Sequence, residues 1–144
     1  MSRPELKILI GLHRASNRID RQSVRIFAKY GLTMGQFAVL EALYHKGDLT
    51  VGQVQEKILS SCGTMPVIIR NLETRNYLTR ARDDEDKRRS ILHITPEGSA
   101  LMELVCPQNE AKIVELLDML SNSEKDQLIM LLKKAGGAHD GANR

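Results

Sequence analysis

Hydrophobic positions recur at three- and four-residue spacing through the first part of the chain. Residues 5–29 read ELKILIGLHRASNRIDRQSVRIFAK and place Leu9, Leu12, Ser16, Ile19, Ser23 and Ile26 on one stripe. That period predicts an amphipathic helix, and Gly31 supplies its stop. Thr33 precedes a second helical run, with Gln36 three residues on. At this spacing each side chain can satisfy the other residue's free backbone N–H, which is a capping box. Phe37, Leu40, Ala42, Leu43 and Tyr44 fill the run, and Gly47 ends it. The same signal returns at Thr50 and Gln53 and opens a third helix through Val54 to Leu59. A turn over residues 60–63 leads into TMPVIIRNLETRNYL. Proline is tolerated only in a first helical turn, so Pro66 sets the start of a fourth helix near residues 61–64. Val67, Ile68 and Leu72 are expected to face inward, and Asn76 to cap the end.

The period then drops to two. YLTRARD and SILHIT alternate, with Leu78 and Ala81 in one and Ile91, Leu92 and Ile94 in the other, and a charged turn lies between them. This predicts a β-hairpin. Thr95 caps the next helix with Pro96 at its first position. That helix is expected to reach about Leu120, with a kink or break at Pro107. Ser121 and Glu124 make a last capping box ahead of KDQLIMLLKKA, which Gly136 and Gly137 terminate. The tail 138–144 is expected to be disordered.

A compact helix–turn–helix followed at once by a hairpin is a winged helix. The expected fold class is therefore mainly α (α+β): a winged helix-turn-helix over 33–98, between an N-terminal dimerisation helix (1–32) and C-terminal dimerisation helices (99–137). One winged unit cannot bury every apolar stripe of the flanking helices, which predicts a homodimer.

Aromatics are only 3% of the chain, so the core has to be built from aliphatic residues and methionine. The net charge of +3 hides an uneven distribution. Residues 1–31 carry Arg3, Lys7, Arg14, Arg18, Arg21, Arg25 and Lys29 against Glu5 and Asp20. Such an excess favours a polyanionic partner. Cys62 and Cys106 form no disulfide framework, and neither they nor His45, His93 and His139 show metal-ligand spacing. No metal and no cofactor are expected. With no membrane-length apolar run and no signal-peptide pattern at Met1, a cytoplasmic protein with reduced thiols and no membrane partner is expected. No nucleophile–base pair, useful carboxylate pair or phosphate-binding glycine loop is present, so an enzyme is not expected.

The stretch NLETRNYLTRARDDEDKRRSILHITPEG resembles the MarR family of bacterial transcription regulators. It carries the end of a recognition helix (Leu72, Glu73), a first wing strand with Arg80, a wing turn with Asp86 and Arg88, and the closing ITPEG at 94–98. GLTMGQFAVLEALYHKGDLTVGQVQEKIL is similar to the family's second and third helices. Together with LVCPQNE it looks closest to members that answer quinones and related aromatic electrophiles. The resemblance implies a homodimer on double-stranded, pseudo-palindromic operator DNA. It also implies a repressor released by a small aromatic or phenolic ligand or by a thiol-reactive compound. A helical protein–protein interaction module is the competing class, and a mobility shift with salt titration separates the two.

On this resemblance the recognition helix presents Ser61, Gly63, Thr64, Met65, Pro66 and Arg70 to the major groove. Thr50 caps the supporting helix and offers backbone amides to phosphate, with Gln53 and Gln55 nearby. Arg88 is expected to enter the minor groove, with Asp86 as its brace and Lys87, Arg89, Arg80 and Arg82 on the DNA backbone. An effector pocket is expected among His13, Asn17, Phe37, Leu40 and Tyr44. Cys62 is the candidate redox residue, because a helix N-terminus favours thiolate. Cys106 is expected to serve packing.

Overall fold

A computed structural model describes residues 3–58 and 65–137. The elements run α1 (Pro4–Ala28), α2 (Met34–Lys46), β1 (Leu49–Thr50), α3 (Val51–Ile58), α4 (Met65–Thr74), β2 (Leu78–Arg82), β3 (Ser90–Ile94), α5 (Pro96–Leu116) and α6 (Asn122–Ala135). The strands form one antiparallel sheet in the order β1-β3-β2. This is the expected winged helix-turn-helix between long helices. The strand β1 is an addition to the expected elements. Leu49 pairs with Leu92 and Thr50 with Ile91, but two residues directly before a helix cap carry no readable alternation.

All three capping boxes form. Thr33 Oγ1 accepts from Gln36 N at 3.1 Å while Gln36 Oε1 accepts from Thr33 N at 3.0 Å. Thr50 with Gln53, and Ser121 with Glu124, repeat the pattern. Asn76 adopts φ +64°, and Tyr77 N reaches back to Leu72 O at 2.9 Å, the Schellman closure of α4. Gly31, at φ +69°, closes α1 in the same way.

The core is aliphatic, as the composition requires. Phe27, Leu40, Leu43, Ile69, Leu72, Leu78, Leu92, Met102 and Val105 are fully buried. Phe27 stacks on Phe37 with ring centroids 4.0 Å apart. The corner at residues 95–98 locks α5 to the end of α4. Thr95 Oγ1 donates to Asn76 O at 2.7 Å and accepts from Gly98 N at 3.0 Å. A Cβ at Gly98 would lie 2.3 Å from Tyr77 O, so only glycine fits there.

Two expectations are corrected. Val67 does not face inward: it is 57% exposed, and Ile69 takes its place beside Ile68 and Leu72. The buried stripe with half-buried Met65 thus runs 65, 68, 69, 72, the proper helical period. The helix α5 passes through Pro107 without a break and stops at Leu116 rather than near Leu120. Proline removes one amide donor, and fully buried Met102 and Val105 anchor the preceding turns.

Large apolar faces stay open. Leu6, Ile8, Leu9, Ile10 and Leu12 on α1 and every residue from 128 to 132 on α6 are exposed. Among the described residues α6 buries none of its own. No described helix is long and apolar enough to cross a membrane.

Candidate nucleic-acid interface

The wing is a five-residue antiparallel ladder, with Leu78 opposite Ile94, Arg80 opposite Leu92 and Arg82 opposite Ser90. Residues across such a ladder share a face. Leu78 and Leu92 bury that face at the base, and β2 then carries Arg80 and Arg82 outward. Arg80 is not a free cation: its guanidinium meets Glu73 on α4 at 3.0 Å. The pair ties the first wing strand to α4.

The tip is built by its acids. Arg88 donates Nε–H to Asp86 Oδ1 at 3.1 Å and Nη2–H to Oδ2 at 3.3 Å, and Oδ1 also accepts from Arg88 N at 3.1 Å. The Asp86 carboxyl is accordingly held below the ordinary carboxylate range, first by the Arg88 side chain and then by its backbone N–H. Asp83, at the end of the first alternating run, has a structural part at the neck of the hairpin. It is buried, accepts from Glu85 N at 3.1 Å, and binds Arg89. Arg89 also lies 3.9 Å from Asp86. The expected phosphate contact Arg89 is therefore also an internal tie across the hairpin neck, where Asp83 N donates to Arg89 O at 3.1 Å. The signal that marks Asp83 is its place as the first residue after β2, where a carboxylate can bond backbone two positions on. Lys87 and Arg88 are left exposed at the tip.

On α4, Pro66, Val67, Arg70, Asn71 and Thr74 form the outer face. Asn71 Oδ1 accepts from Gln36 Nε2 at 3.0 Å, so the capping glutamine of α2 also positions α4. Arg75 seats the far end of α4 by donating to Gly31 O at 2.7 Å and lying over Tyr77. Ser61, Cys62, Gly63 and Thr64 lie outside the described residues. Thr50 and Gln53 are engaged with each other as caps, whereas Gln55 is exposed.

The expected effector residues differ in exposure. Phe37 and Leu40 are core, His13 and Asn17 are exposed on α1, and Tyr44 is half-buried. A cleft of about 280 Å³ instead opens between α2 and α5, lined by Glu41, His45, Cys106, Asn109, Glu110, Ile113 and Val114. Burial raises the Glu41 carboxyl above its usual value, partly offset by His45. Burial, then Glu41 and Glu110, push the Cys106 thiol up to about 11. It is a protonated thiol at neutral pH, which disfavours it as a reactive sensor. No sequence spacing marks it, yet the fold brings Cys106 close to His45 and Glu41.

Comparison with known proteins follows the same architecture. A family model described as the transcriptional regulator SarA/Rot matches residues 21–105. The chain is 35% identical over 136 residues to the HTH-type transcriptional regulator MhqR of Bacillus subtilis, covering 94% of each. It is 28% identical to the regulator MgrA of Staphylococcus aureus, over 93% of this chain and 90% of that one. The solved structure of Bordetella bronchiseptica BpsR, whose DNA binding is regulated by 6-hydroxynicotinic acid, superposes with a TM-score of 0.84 at 26% identity, covering 96% of this chain and 99% of that one. A mutant MarR of E. coli bound to operator DNA shares the fold, with a TM-score of 0.75 at 23% identity over 92% of this chain and 94% of that one.

Proposed function

The chain belongs to the MarR-type winged-helix transcription regulators, within reach of the SarA/Rot family model, and we propose that it acts as a homodimeric repressor on a pseudo-palindromic operator. DNA binding and transcription regulation come with the family. The contacts proposed here are those of the wing and α4. Arg88 carries the reading: its side chain is 91% exposed, yet its guanidinium is held from behind by Asp86. A cation fixed in place but open to solvent suits a negatively charged groove, and a narrow minor groove concentrates that potential. Lys87 beside it, and Arg82 along the strand, serve phosphates. Arg80 works indirectly, by fixing the wing against α4.

Pro66, Val67 and Arg70, exposed on the outer face of α4, are the proposed major-groove contacts. Arginine bonds guanine edges or phosphate, and an exposed valine offers apolar contact to a thymine methyl. The backbone amides at the Thr50 cap complete the phosphate contacts. Dimerisation is supported by the uncovered apolar residues of α1 and α6, which exceed the scattered exposure normal for a monomer. Release by a small aromatic or phenolic ligand, or by a thiol-reactive compound acting at Cys62, is the regulatory half of the proposal. BpsR, a protein of the same fold regulated by an aromatic acid, supports it. His13, Asn17 and Tyr44 are the proposed ligand contacts, and Phe37 and Leu40 transmit by repacking behind them. A regulator of chromosomal operators works in the cytoplasm.

The test is operator selection from random DNA, followed by binding titrations at several salt concentrations. Sequence-selective, salt-dependent binding by a dimer is expected. Selection that enriches nothing, or binding with no salt slope, would point to a protein interaction module instead.

A further inference from the structure

We propose that Glu41, His45 and Cys106 form a zinc-type divalent metal site in the cleft between α2 and α5. Their donor atoms all lie within 4.8 Å of one another. Glu41 and His45 are one helical turn apart on α2, so both leave the same face. Cys106 comes from α5, which packs against α2. Two helices thus supply an oxygen, an imidazole nitrogen and a sulfur to one point. This donor set suits zinc and is too soft for calcium or magnesium, which take oxygen alone.

The surroundings favour a cation. The cleft lining holds two carboxylates, Glu41 and Glu110, and no lysine or arginine. Glu110 sits one turn beyond Cys106 on α5. Three protein ligands leave a fourth position open to the cleft, where water or Glu110 completes a tetrahedron. Ile113 and Val114 form an apolar wall beside it. As the zinc–sulfur bond forms, the Cys106 thiol releases its proton to solvent, so affinity rises with pH. An ion held this way clamps α2, the first helix of the winged unit, to α5, which leads out of it. The site shares no residue with the wing or α4, and it stands whether or not the DNA reading does.

The experiment uses tag-free, reduced, full-length protein without DNA. It is titrated with cobalt(II), and then with zinc(II) against a chromophoric chelator. One ion per chain is expected, with a thiolate-to-cobalt charge-transfer band that zinc bleaches. Cys106→Ser removes the band. His45→Ala and Glu41→Gln each weaken zinc by at least about tenfold, since even the hydrogen-bond partners of a ligand are worth that much. Cys62→Ser keeps both the band and the affinity. In the unmodified protein, zinc slows alkylation of Cys106 as followed by peptide mass mapping, a readout that no variant's folding can confuse. The proposal is overturned by failure to compete with the chelator, by binding that survives all three ligand substitutions, by a band that follows Cys62, or by alkylation of Cys106 indifferent to zinc.

Discussion

Asp86 holds Arg88 by both carboxylate oxygens, at 3.1 and 3.3 Å, and leaves its side chain 91% exposed. An ion pair in such an exposed place contributes little to folding. Its value is in binding, because a side chain already held loses less freedom when it docks. Arg88→Ala is therefore expected to weaken operator binding at least about tenfold, the worth of one charge-assisted contact, and to flatten the salt slope by about one unit. Asp86→Ala keeps the charge but frees it, and should lose a smaller factor with the salt slope nearly unchanged. Fluorescence anisotropy at several salt concentrations measures both, and thermal melting of either variant should stay near that of the parent. Equal affinity of parent and Arg88→Ala would remove the wing tip from the interface.

The same contact sets a pH prediction. Hydrogen bonds from Arg88 depress the Asp86 carboxyl in the folded protein. A depressed acid supports its contact above the unfolded pKa, and the support is lost as pH falls through the folded one. The brace is thus intact throughout the neutral range, and operator affinity should not titrate with Asp86 there. Carboxyl NMR should place the Asp86 midpoint below the ordinary aspartate value and move it upward in Arg88→Ala. A midpoint unmoved by that substitution would mean that the fork does not persist in solution.

Val67 and Ile69 are both aliphatic residues of α4 and lie on opposite sides of it. Ile69→Ala should destabilise the fold by about 2–5 kcal/mol, as a buried large-to-small change does. Val67→Ser should stay within about 0.5 kcal/mol, the usual range for a surface change, yet alter operator selection. Urea melts and a repeat of the selection check the two halves. A large stability loss at Val67 would place the helix one step further round.

Much of this was legible in the chain because local signals agree with the fold. Thr33, Thr50 and Ser121, each with its partner three residues on, mark helix starts that formed as read, and the alternation around Leu78 and Leu92 marked the hairpin. The errors have physical causes. In PVIIRNL three consecutive aliphatics span both sides of the helix, and only the three- and four-residue spacing from Met65 and Leu72 selects Ile69 over Val67. The strand β1 is too short to alternate. Asp86 with Arg88 is a contact two residues apart and was readable. Asp83 with Arg89, and Arg80 with Glu73, close only once strand register and the packing of α4 are set. The grouping of Cys106 with Glu41 and His45 depends on how α5 crosses α2, which no motif spacing records.

The uncovered faces of α1 and α6 carry the last prediction. Leu9 and Leu12 on α1, and Leu128, Ile129 and Leu132 on α6, are all 40% or more exposed in the single chain. Burying apolar surface that is exposed in the single chain favours association, and both helices supply it. A charge placed there should separate the subunits without disturbing the core around Leu40, Leu72 and Leu92, which includes none of these residues. Leu128→Asp combined with Leu9→Asp is expected to give a folded monomer by sedimentation equilibrium, with helical content preserved by circular dichroism. Operator affinity should fall by several orders of magnitude for the full site and far less for an isolated half-site, because a monomer loses the linkage between the two docking events. A double variant that remains dimeric would move the interface elsewhere, to the side of α5 where Leu104 is also exposed.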